Sequence, residues 1–125
     1  MMITNVLLVE DDPEDLMILK EMIQTLLPEI ECYLAKNGIE ALHICRSLSV
    51  DLVISDINMP VMDGKELVTI IRKEISRHLP VILVSTSKWE EAEVLSLGAT
   101  YFFVKGYSFQ ESLNKLEYAL SVYAK

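Results

Sequence analysis

The stretch "DLVISDINMPVMDG" (residues 51–64) decides the fold, because it shows where an apolar strand stops and a polar turn starts. Its run "LVIS" (52–55) has the continuous apolar character of a strand that is covered on both faces of a sheet. Asp56 follows directly, and an Asn-Met-Pro turn and an Asp-Gly pair come next. The stretch therefore predicts a buried strand that ends in a carboxylate, ahead of a loop and a new helix.

Other apolar runs alternate in the same way with segments of helical periodicity. These runs are "VLLV" (6–9), "ECYLA" (31–35), "VILVS" (81–85) and "YFFV" (101–104). Together with 52–55 they predict five βα units and a parallel sheet covered on both faces, with right-handed crossovers. We predict a doubly wound α/β fold with five strands in the order 2-1-3-4-5 and five helices, in which the first and third strands lie side by side.

Helix-start signals support this division of the chain. Asp12 is placed to cap the first helix ahead of Pro13, and "SFQE" (108–111) is a capping box for the last one. An apolar stripe follows in the last helix at Phe109, Leu113, Leu116, Leu120 and Tyr123. Every glycine and proline falls at an element boundary, so we predict one domain over residues 1–125, with no effector domain attached.

Composition excludes several classes of protein. The 125 residues are enough to bury a core without disulfides, and the formal net charge of −8 disfavours binding to nucleic acid or to anionic lipid. No apolar run is long enough to span a membrane, and the N-terminus lacks a basic signal region. Cys32 and Cys45 have no metal-binding spacing, so we expect reduced thiols in a cytoplasmic protein.

Acidic residues follow two strands that the predicted topology makes neighbours. Glu10 and Asp11 end the first strand, and Asp56 ends the third. Two such charges about 4 Å apart repel by roughly 4 kcal/mol at an effective dielectric of about 20, so the group should recruit a divalent cation or raise a pKa. All-oxygen ligands favour Mg²⁺, with Mn²⁺ as the alternative. The competing interpretation is that strand-end acids only cap helices, as Asp12 and Asp63 are placed to do.

Two more strand ends bring polar groups to this edge of the sheet. The fourth strand ends in hydroxyls at Ser85, Thr86 and Ser87, and the fifth ends at Lys105. A cation site, a carboxylate, a hydroxyl and an ammonium together suit phosphoryl transfer onto the carboxylate, since the positive groups neutralise phosphoryl oxygens. Each signal is weak alone, and the specificity comes from their meeting at one edge.

The sequence resembles the receiver domains of two-component response regulators, of the chemotaxis CheY type. The resemblance covers essentially the whole chain and rests on "LLVEDD" (7–12), "LVISDINMPVMDG" (52–64), "PVILVSTS" (80–87) and "GATYFFVKG" (98–106), in the family's order and spacing. It implies that Asp56 is the phosphoacceptor. It also implies that Glu10 and Asp11 bind the metal with Asp56, and that Asn58 adds its main-chain carbonyl.

The resemblance assigns further roles. Ser85 would be the switch hydroxyl and Lys105 the conserved lysine, while Asn58 and Ser87 would flank the site and set the lifetime of the phosphoryl group. Phe102 matches the switch aromatic, although it could equally be ordinary core packing. The family usually has proline after its lysine, often through a cis peptide; Gly106 stands here, and we expect it to leave the next loop less constrained.

Partners also follow from the resemblance. A bacterial sensor histidine kinase or a histidine phosphotransfer protein would supply the phosphoryl group. Output would pass to a downstream protein through the helix at 88–97, the strand at 101–104 and one face of the helix at 108–123. Trp89, Tyr101 and Tyr107 are expected on or near this surface.

Two other classes of function compete with this one. A haloacid-dehalogenase-type phosphatase also forms an aspartyl phosphate at a strand end, but it needs a second aspartate two residues on, where this chain has Asn58. An interaction module that is not phosphorylated would be expected to lack Asp56, Lys105 or the acidic pair. Neither His43 nor His78 has a partner at metal-ligand spacing, so both are expected to be ordinary surface or half-buried residues.

Overall fold

The computed structural model describes residues 3–123, without the side chain of Tyr123. The strands are β1 (Asn5–Val9), β2 (Glu31–Ala35), β3 (Leu52–Asp56), β4 (Val81–Ser85) and β5 (Tyr101–Val104). The α-helices are α1 (Pro13–Leu26), α2 (Gly38–Ser47), α3 (Gly64–Ile70), α4 (Glu91–Ser96) and α5 (Phe109–Tyr123). A π-helical turn at Ile71–Ile75 extends α3, and a 3₁₀ turn at Lys88–Glu90 leads into α4.

The sheet is parallel, and its strand order is β2-β1-β3-β4-β5. This confirms the predicted doubly wound fold. In the register of the sheet Val9 lies opposite Ser55, and Asp56 lies opposite Val84. Strands β1, β3 and β4 consequently end at nearly the same level, and the residues that follow them share one edge.

Helices cover both faces of the sheet, and each face has its own hydrophobic core. Strand residues alternate between the two cores, as the pleat of a strand requires. Leu7 and Val9 pack with α2, α3 and α4 on one face, whereas Val6 and Leu8 pack with α1 and α5 on the other. Burial on both faces explains why β1, β3 and β4 have nearly continuous apolar sequences.

The predicted helix caps are present, with one difference. The Asp12 carboxylate accepts from the N–H groups of Glu14 and Asp15, and Asp63 caps α3 through the Glu66 N–H. At α5 the Ser108 hydroxyl accepts from the Glu111 N–H, but the Glu111 carboxylate accepts from Tyr107 rather than from Ser108.

The apolar stripe of α5 is buried only in part. Leu116 is fully buried, Leu113 and Leu120 are half-buried, and Phe109 is exposed. The predicted contribution of the Tyr123 side chain lies outside the described residues. Ala119, which is small enough to lie close to the sheet, is also buried on this face.

Two further sequence expectations concern the cysteines and the membrane. Cys32 and Cys45 are free, half-buried thiols. Burial raises the pKa of both, that of Cys45 to about 11, which makes them poor nucleophiles. Within residues 3–123, no helix has the length and apolar character needed to cross a membrane.

Candidate functional site

Three carboxylates meet where β1 and β3 end. Glu10 is almost completely buried, Asp56 is half-buried and Asp11 is exposed. One oxygen from each side chain lies within 4.8 Å of the others, and no other group of His, Cys, Asp and Glu side chains in residues 3–123 is close enough to share a metal ion. The structure therefore brings together the acids that the topology predicted as neighbours.

These acids are costly to ionise together. Burial raises the pKa of Glu10 to about 7; the Asp12 N–H opposes this shift, and the charge of Asp56 adds to it. Burial also raises the pKa of Asp56, although Lys105 opposes this shift. Oxygen ligands whose ionised forms are unfavourable without a nearby positive charge suit a small, hard divalent cation such as Mg²⁺.

Lys105 brings a positive charge to the same cluster. Its Nζ lies 3.3 Å from Glu10 Oε1 and 3.6 Å from Asp56 Oδ1. It also lies 3.9 Å from Asp15 Oδ2, a contact that was not predicted because Asp15 looked like an ordinary first-turn acid of α1. Burial opposes the charge on Lys105, but the three carboxylates outweigh it and raise the pKa of the ammonium. Lys105 therefore remains positively charged.

The loop that carries Lys105 is held by the beginning of α5. The Gly106 N–H donates to Ser112 Oγ at 2.8 Å, and Lys115 Nζ donates to the Val104 carbonyl at 2.8 Å. A Cβ at Gly106 would lie 2.8 Å from Glu111 Cβ, so the close packing needs glycine. The Lys105–Gly106 peptide is trans. Hydrogen bonds from α5 therefore restrain the loop, while the expectation that Gly106 leaves it less constrained than a proline would stays a prediction.

A second glycine places the start of α3 against Asp56. The Gly64 N–H donates to the Ile57 carbonyl at 2.8 Å. A Cβ at Gly64 would lie 2.6 Å from the Asp56 carbonyl oxygen, which no side chain could tolerate without a shift of the backbone. Gly64 therefore lets the loop after β3 fold back closely enough to hold Asp56 at the edge of the sheet.

The hydroxyl of Ser85 has its own partners within the protein. Ser85 is fully buried, and its Oγ donates to Glu90 Oε1 at 2.9 Å while accepting from the Ser87 N–H at 3.1 Å. Ser87 in turn caps the 3₁₀ turn by accepting from the Trp89 N–H. Thr86, which lies between these two serines, is exposed.

Comparison with known proteins identifies the family. A family model described as "Response regulator receiver domain" matches residues 6–117. The chain belongs to the response regulator receiver family. The receiver is 35% identical over 114 residues to the probable C4-dicarboxylate response regulator DctR of Bacillus subtilis, covering 90% of this chain and 50% of that protein. It is 37% identical over 103 residues to the two-component response regulator ARR2 of Arabidopsis thaliana, covering 80% of this chain and 15% of that protein.

Solved receiver structures have the same fold. The receiver superimposes with a TM-score of 0.82 on the chemotaxis response regulator CheY4 of Vibrio cholerae, at 29% identity, covering 95% of this chain and all of that one. The response regulator TrrA of Thermotoga maritima, solved in complex with Mg²⁺ and BeF, superimposes with a TM-score of 0.79 at 33% identity. The superposition covers 92% of this chain and 97% of that one.

The family assignment decides between the functional interpretations. Receiver domains are phosphoacceptors in two-component signalling, and they bind Mg²⁺ at an acidic pocket. This assignment favours the receiver over the phosphatase and over an interaction module that is not phosphorylated. The chain spans half or less of the curated relatives named above, so the activity of the whole protein is a separate question.

Glu90 and Lys65 extend the receiver's site in a way that was not predicted. Lys65 Nζ lies 3.1 Å from Glu90 Oε2 and 2.8 Å from Glu93 Oε1. Burial disfavours the ionised form of Glu90, but Lys65, Ser85 and Asn58 outweigh it and lower the pKa of its carboxyl. No sequence signal identifies this chain of contacts, because Lys65 and Glu90 lie in different βα units.

The candidate switch aromatic and the candidate recognition aromatics lie in different environments. Phe102 is only 4% exposed and belongs to the core beneath α3 and α4. Trp89 is 83% exposed and Tyr107 is fully exposed, as expected for surface residues. The Tyr101 ring lies 6.1 Å from that of Tyr118 on α5. His43 and His78 are both exposed.

Proposed function

We propose that Asp56 is the residue of this receiver that accepts the phosphoryl group. The observation that carries the proposal is the position of Lys105 Nζ, 3.6 Å from Asp56 Oδ1, within the cluster that Asp56 forms with Glu10 and Asp11. A charged ammonium beside a carboxylate can neutralise phosphoryl oxygens as they arrive. Asp56 is also half-buried at the edge of the sheet, so a donor can reach it.

The proposed chemistry is a nucleophilic substitution at phosphorus. An Asp56 carboxylate oxygen forms a bond to the phosphorus of a phosphohistidine or of a small acyl phosphate. The bond from phosphorus to the donor nitrogen or oxygen breaks, and its electron pair leaves with the donor. The product is a mixed anhydride, which water later cleaves to inorganic phosphate and the free carboxylate. We propose no other turnover for this chain.

Four residues are proposed to hold Mg²⁺, or Mn²⁺ in its place. They are Glu10, Asp11, Asp56 and, through its main-chain carbonyl, Asn58. When bound, the cation neutralises the carboxylates and the transferred phosphoryl oxygens. The support comes from the oxygen-only donor set, and from burial, which raises the pKa of Glu10 and Asp56 so that a bound cation would favour their ionised forms.

The other predicted site residues are proposed to act around this centre. Lys105 would contact the phosphoryl group, and the Ser85 hydroxyl would donate to it after the loop that follows β4 moves. Asn58 and Ser87 would set the lifetime of the anhydride. Because Phe102 is already buried, we propose that it responds to the loop through changed packing rather than through a turn from solvent into the core.

The proposed partners are a sensor histidine kinase or a histidine phosphotransfer protein as donor, and a downstream protein as target. The target surface would comprise the segment at 88–97, β5 and the exposed face of α5, where Trp89 and Tyr118 are exposed. We further propose that residues 1–125 act as one receiver unit in the cytoplasm.

Mass spectrometry after incubation with acetyl phosphate and Mg²⁺ tests the assignment of Asp56. The parent should gain one acid-labile phosphoryl group, and Asp56→Asn should gain none. Asp63→Asn is the matched control, because asparagine also caps helices and Asp63 lies outside the acidic cluster. Equal labelling of the parent and Asp56→Asn would refute the proposal.

A further inference from the structure

The Ser85 hydroxyl has one proton, and this proton is already donated within the protein. Its acceptor is Glu90 Oε1, at 2.9 Å. From this contact we propose that Glu90 is a positioning residue that holds Ser85 in its unphosphorylated orientation, and that Lys65 holds Glu90. The proposal rests on the proposed function of Asp56 and Ser85.

The chemistry of a hydroxyl makes the contact competitive. A serine hydroxyl has a single donor hydrogen, so Ser85 cannot donate to Glu90 and to a phosphoryl oxygen at the same time. A hydrogen bond to an ionised carboxylate is shorter and stronger than one to a neutral acceptor. Since Ser85 is fully buried, no bulk water is available to exchange for the carboxylate. Glu90 therefore opposes the reorientation that phosphorylation requires.

Lys65 gives Glu90 a fixed position. The Glu90 side chain is 20% exposed, and its second oxygen, Oε2, lies 3.1 Å from Lys65 Nζ. Lys65 belongs to α3 and follows Gly64, whose N–H is bonded to the Ile57 carbonyl beside Asp56. The Lys65–Glu90–Ser85 chain of contacts thus joins the beginning of α3 to the 3₁₀ turn before α4 and to the end of β4.

Phosphorylation is expected to break this chain at Ser85. A phosphoryl group adds about −1.5 to −2 charge and several strong acceptor oxygens at the edge of the sheet. It therefore competes with Glu90 for the hydroxyl proton, and its charge disfavours a carboxylate in the same region. Because Glu90 stabilises only the unphosphorylated arrangement, its removal should favour the phosphorylated one.

Affinity for a phosphoryl mimic gives the direct test. The receiver would be titrated with beryllofluoride in excess Mg²⁺, using backbone NMR shifts of Asp56 and Ser85 as the readout. Loss of one hydrogen bond to a charged group, at the lower end of about 1.5 kcal/mol, corresponds to about tenfold in affinity, so Glu90→Ala should bind about tenfold more tightly than the parent. Glu90→Gln should lie between them, because its amide oxygen still accepts but carries no charge. Unchanged affinity in both variants would overturn the proposal.

A substitution at Glu90 could also change the affinity for beryllofluoride by altering the net charge or by disturbing the local packing. Glu91→Gln is the charge-matched control, since Glu91 is exposed and neighbours Glu90, and it should leave the affinity unchanged. Replacing Glu90 in a Ser85→Ala background separates the mechanisms, because no hydroxyl remains for Glu90 to hold. The gain should disappear there; a gain of equal size without the hydroxyl would overturn the proposal. If Glu90→Ala does not fold, Lys65→Met should give the same gain in the parent and none in Ser85→Ala.

The two proposals fail in different ways. A parent protein that takes no phosphoryl group at Asp56 from acetyl phosphate would contradict the proposed function. A parent that is labelled at Asp56, together with Glu90 variants that bind beryllofluoride with the affinity of the parent, would contradict only the role of Glu90.

Discussion

The two ends of the sheet use carboxylates in opposite ways. At the amino end, Asp51 Oδ2 accepts hydrogen bonds of 2.9 Å from the Thr4 N–H, the Thr4 hydroxyl and the Asn5 N–H. Burial opposes ionisation of Asp51, but these donors outweigh it and lower the pKa of its carboxyl. At the carboxyl end, burial raises the pKa of Glu10 and of Asp56.

The donors around each carboxylate explain this difference. At the amino end, two backbone N–H groups and a hydroxyl donate to Asp51. At the carboxyl end, the Asp12 N–H donates to Glu10, and Lys105 lies near Glu10 and Asp56, but burial outweighs both. The acid at the amino end is therefore satisfied by the fold itself, whereas those at the carboxyl end keep raised pKa values that a bound cation would lower.

The largest expected effect is an opposite pH dependence of the two ends. The pKa of Glu10 rises from 4.5 to about 7 on folding, so the folded protein binds more protons than the unfolded chain between these values. Stability from Glu10 is then present below about pH 4.5 and is lost as the pH rises through 7, by on the order of 3 kcal/mol. Urea unfolding without divalent cations should show this decline in the parent and a much smaller one in Glu10→Gln.

Asp51 should show the reverse sign. Since folding lowers its pKa, its contribution is present above the unfolded pKa and is lost as the pH falls through the folded one. If the free energy of unfolding fell as much in Glu10→Gln as in the parent between pH 5 and pH 8, the contrast between the two ends would be contradicted.

A smaller effect is expected from removal of the Asp51 carboxylate. Asp51→Ala leaves two backbone N–H groups and a hydroxyl without their acceptor, and should reduce the free energy of unfolding by about 1–2 kcal/mol. Asp51→Asn keeps one acceptor oxygen and should lose less. Both should be labelled by acetyl phosphate like the parent; a labelling defect in the folded variants would show that the two ends are not independent.

The smallest expected effect is stabilisation by Mg²⁺. At a concentration tenfold above its Kd, a cation that binds only the folded state adds about 1.4 kcal/mol to the free energy of unfolding. The gain should be present in the parent and in Asp51→Ala, and should shrink in Asp11→Asn, as measured by urea unfolding at pH 8. Equal gains in all three proteins would place the cation outside the acidic cluster.

The sequence by itself determined the fold and the acidic cluster. Continuous apolar runs predicted every strand to within one residue. The pattern is clearest in β1, β3 and β4, which are buried on both faces, whereas the edge strand β2 is mostly exposed or half-buried. Once the strand order was inferred, the positions of Glu10, Asp11 and Asp56 at strand ends were enough to bring them together. These are consequences of local pattern and chain topology, which a sequence records directly.

Only the tertiary structure decided how the polar groups pair. The contact of Ser85 with Glu90, the support from Lys65 and the anchoring of Gly106 by Ser112 join side chains that no local pattern connects. Phe102 and Phe103 are adjacent and equally apolar, yet they pack in different cores, because the register of β5 sets their faces. Such pairings depend on side-chain reach and helix placement within the folded chain, and so they appear only when the elements have packed.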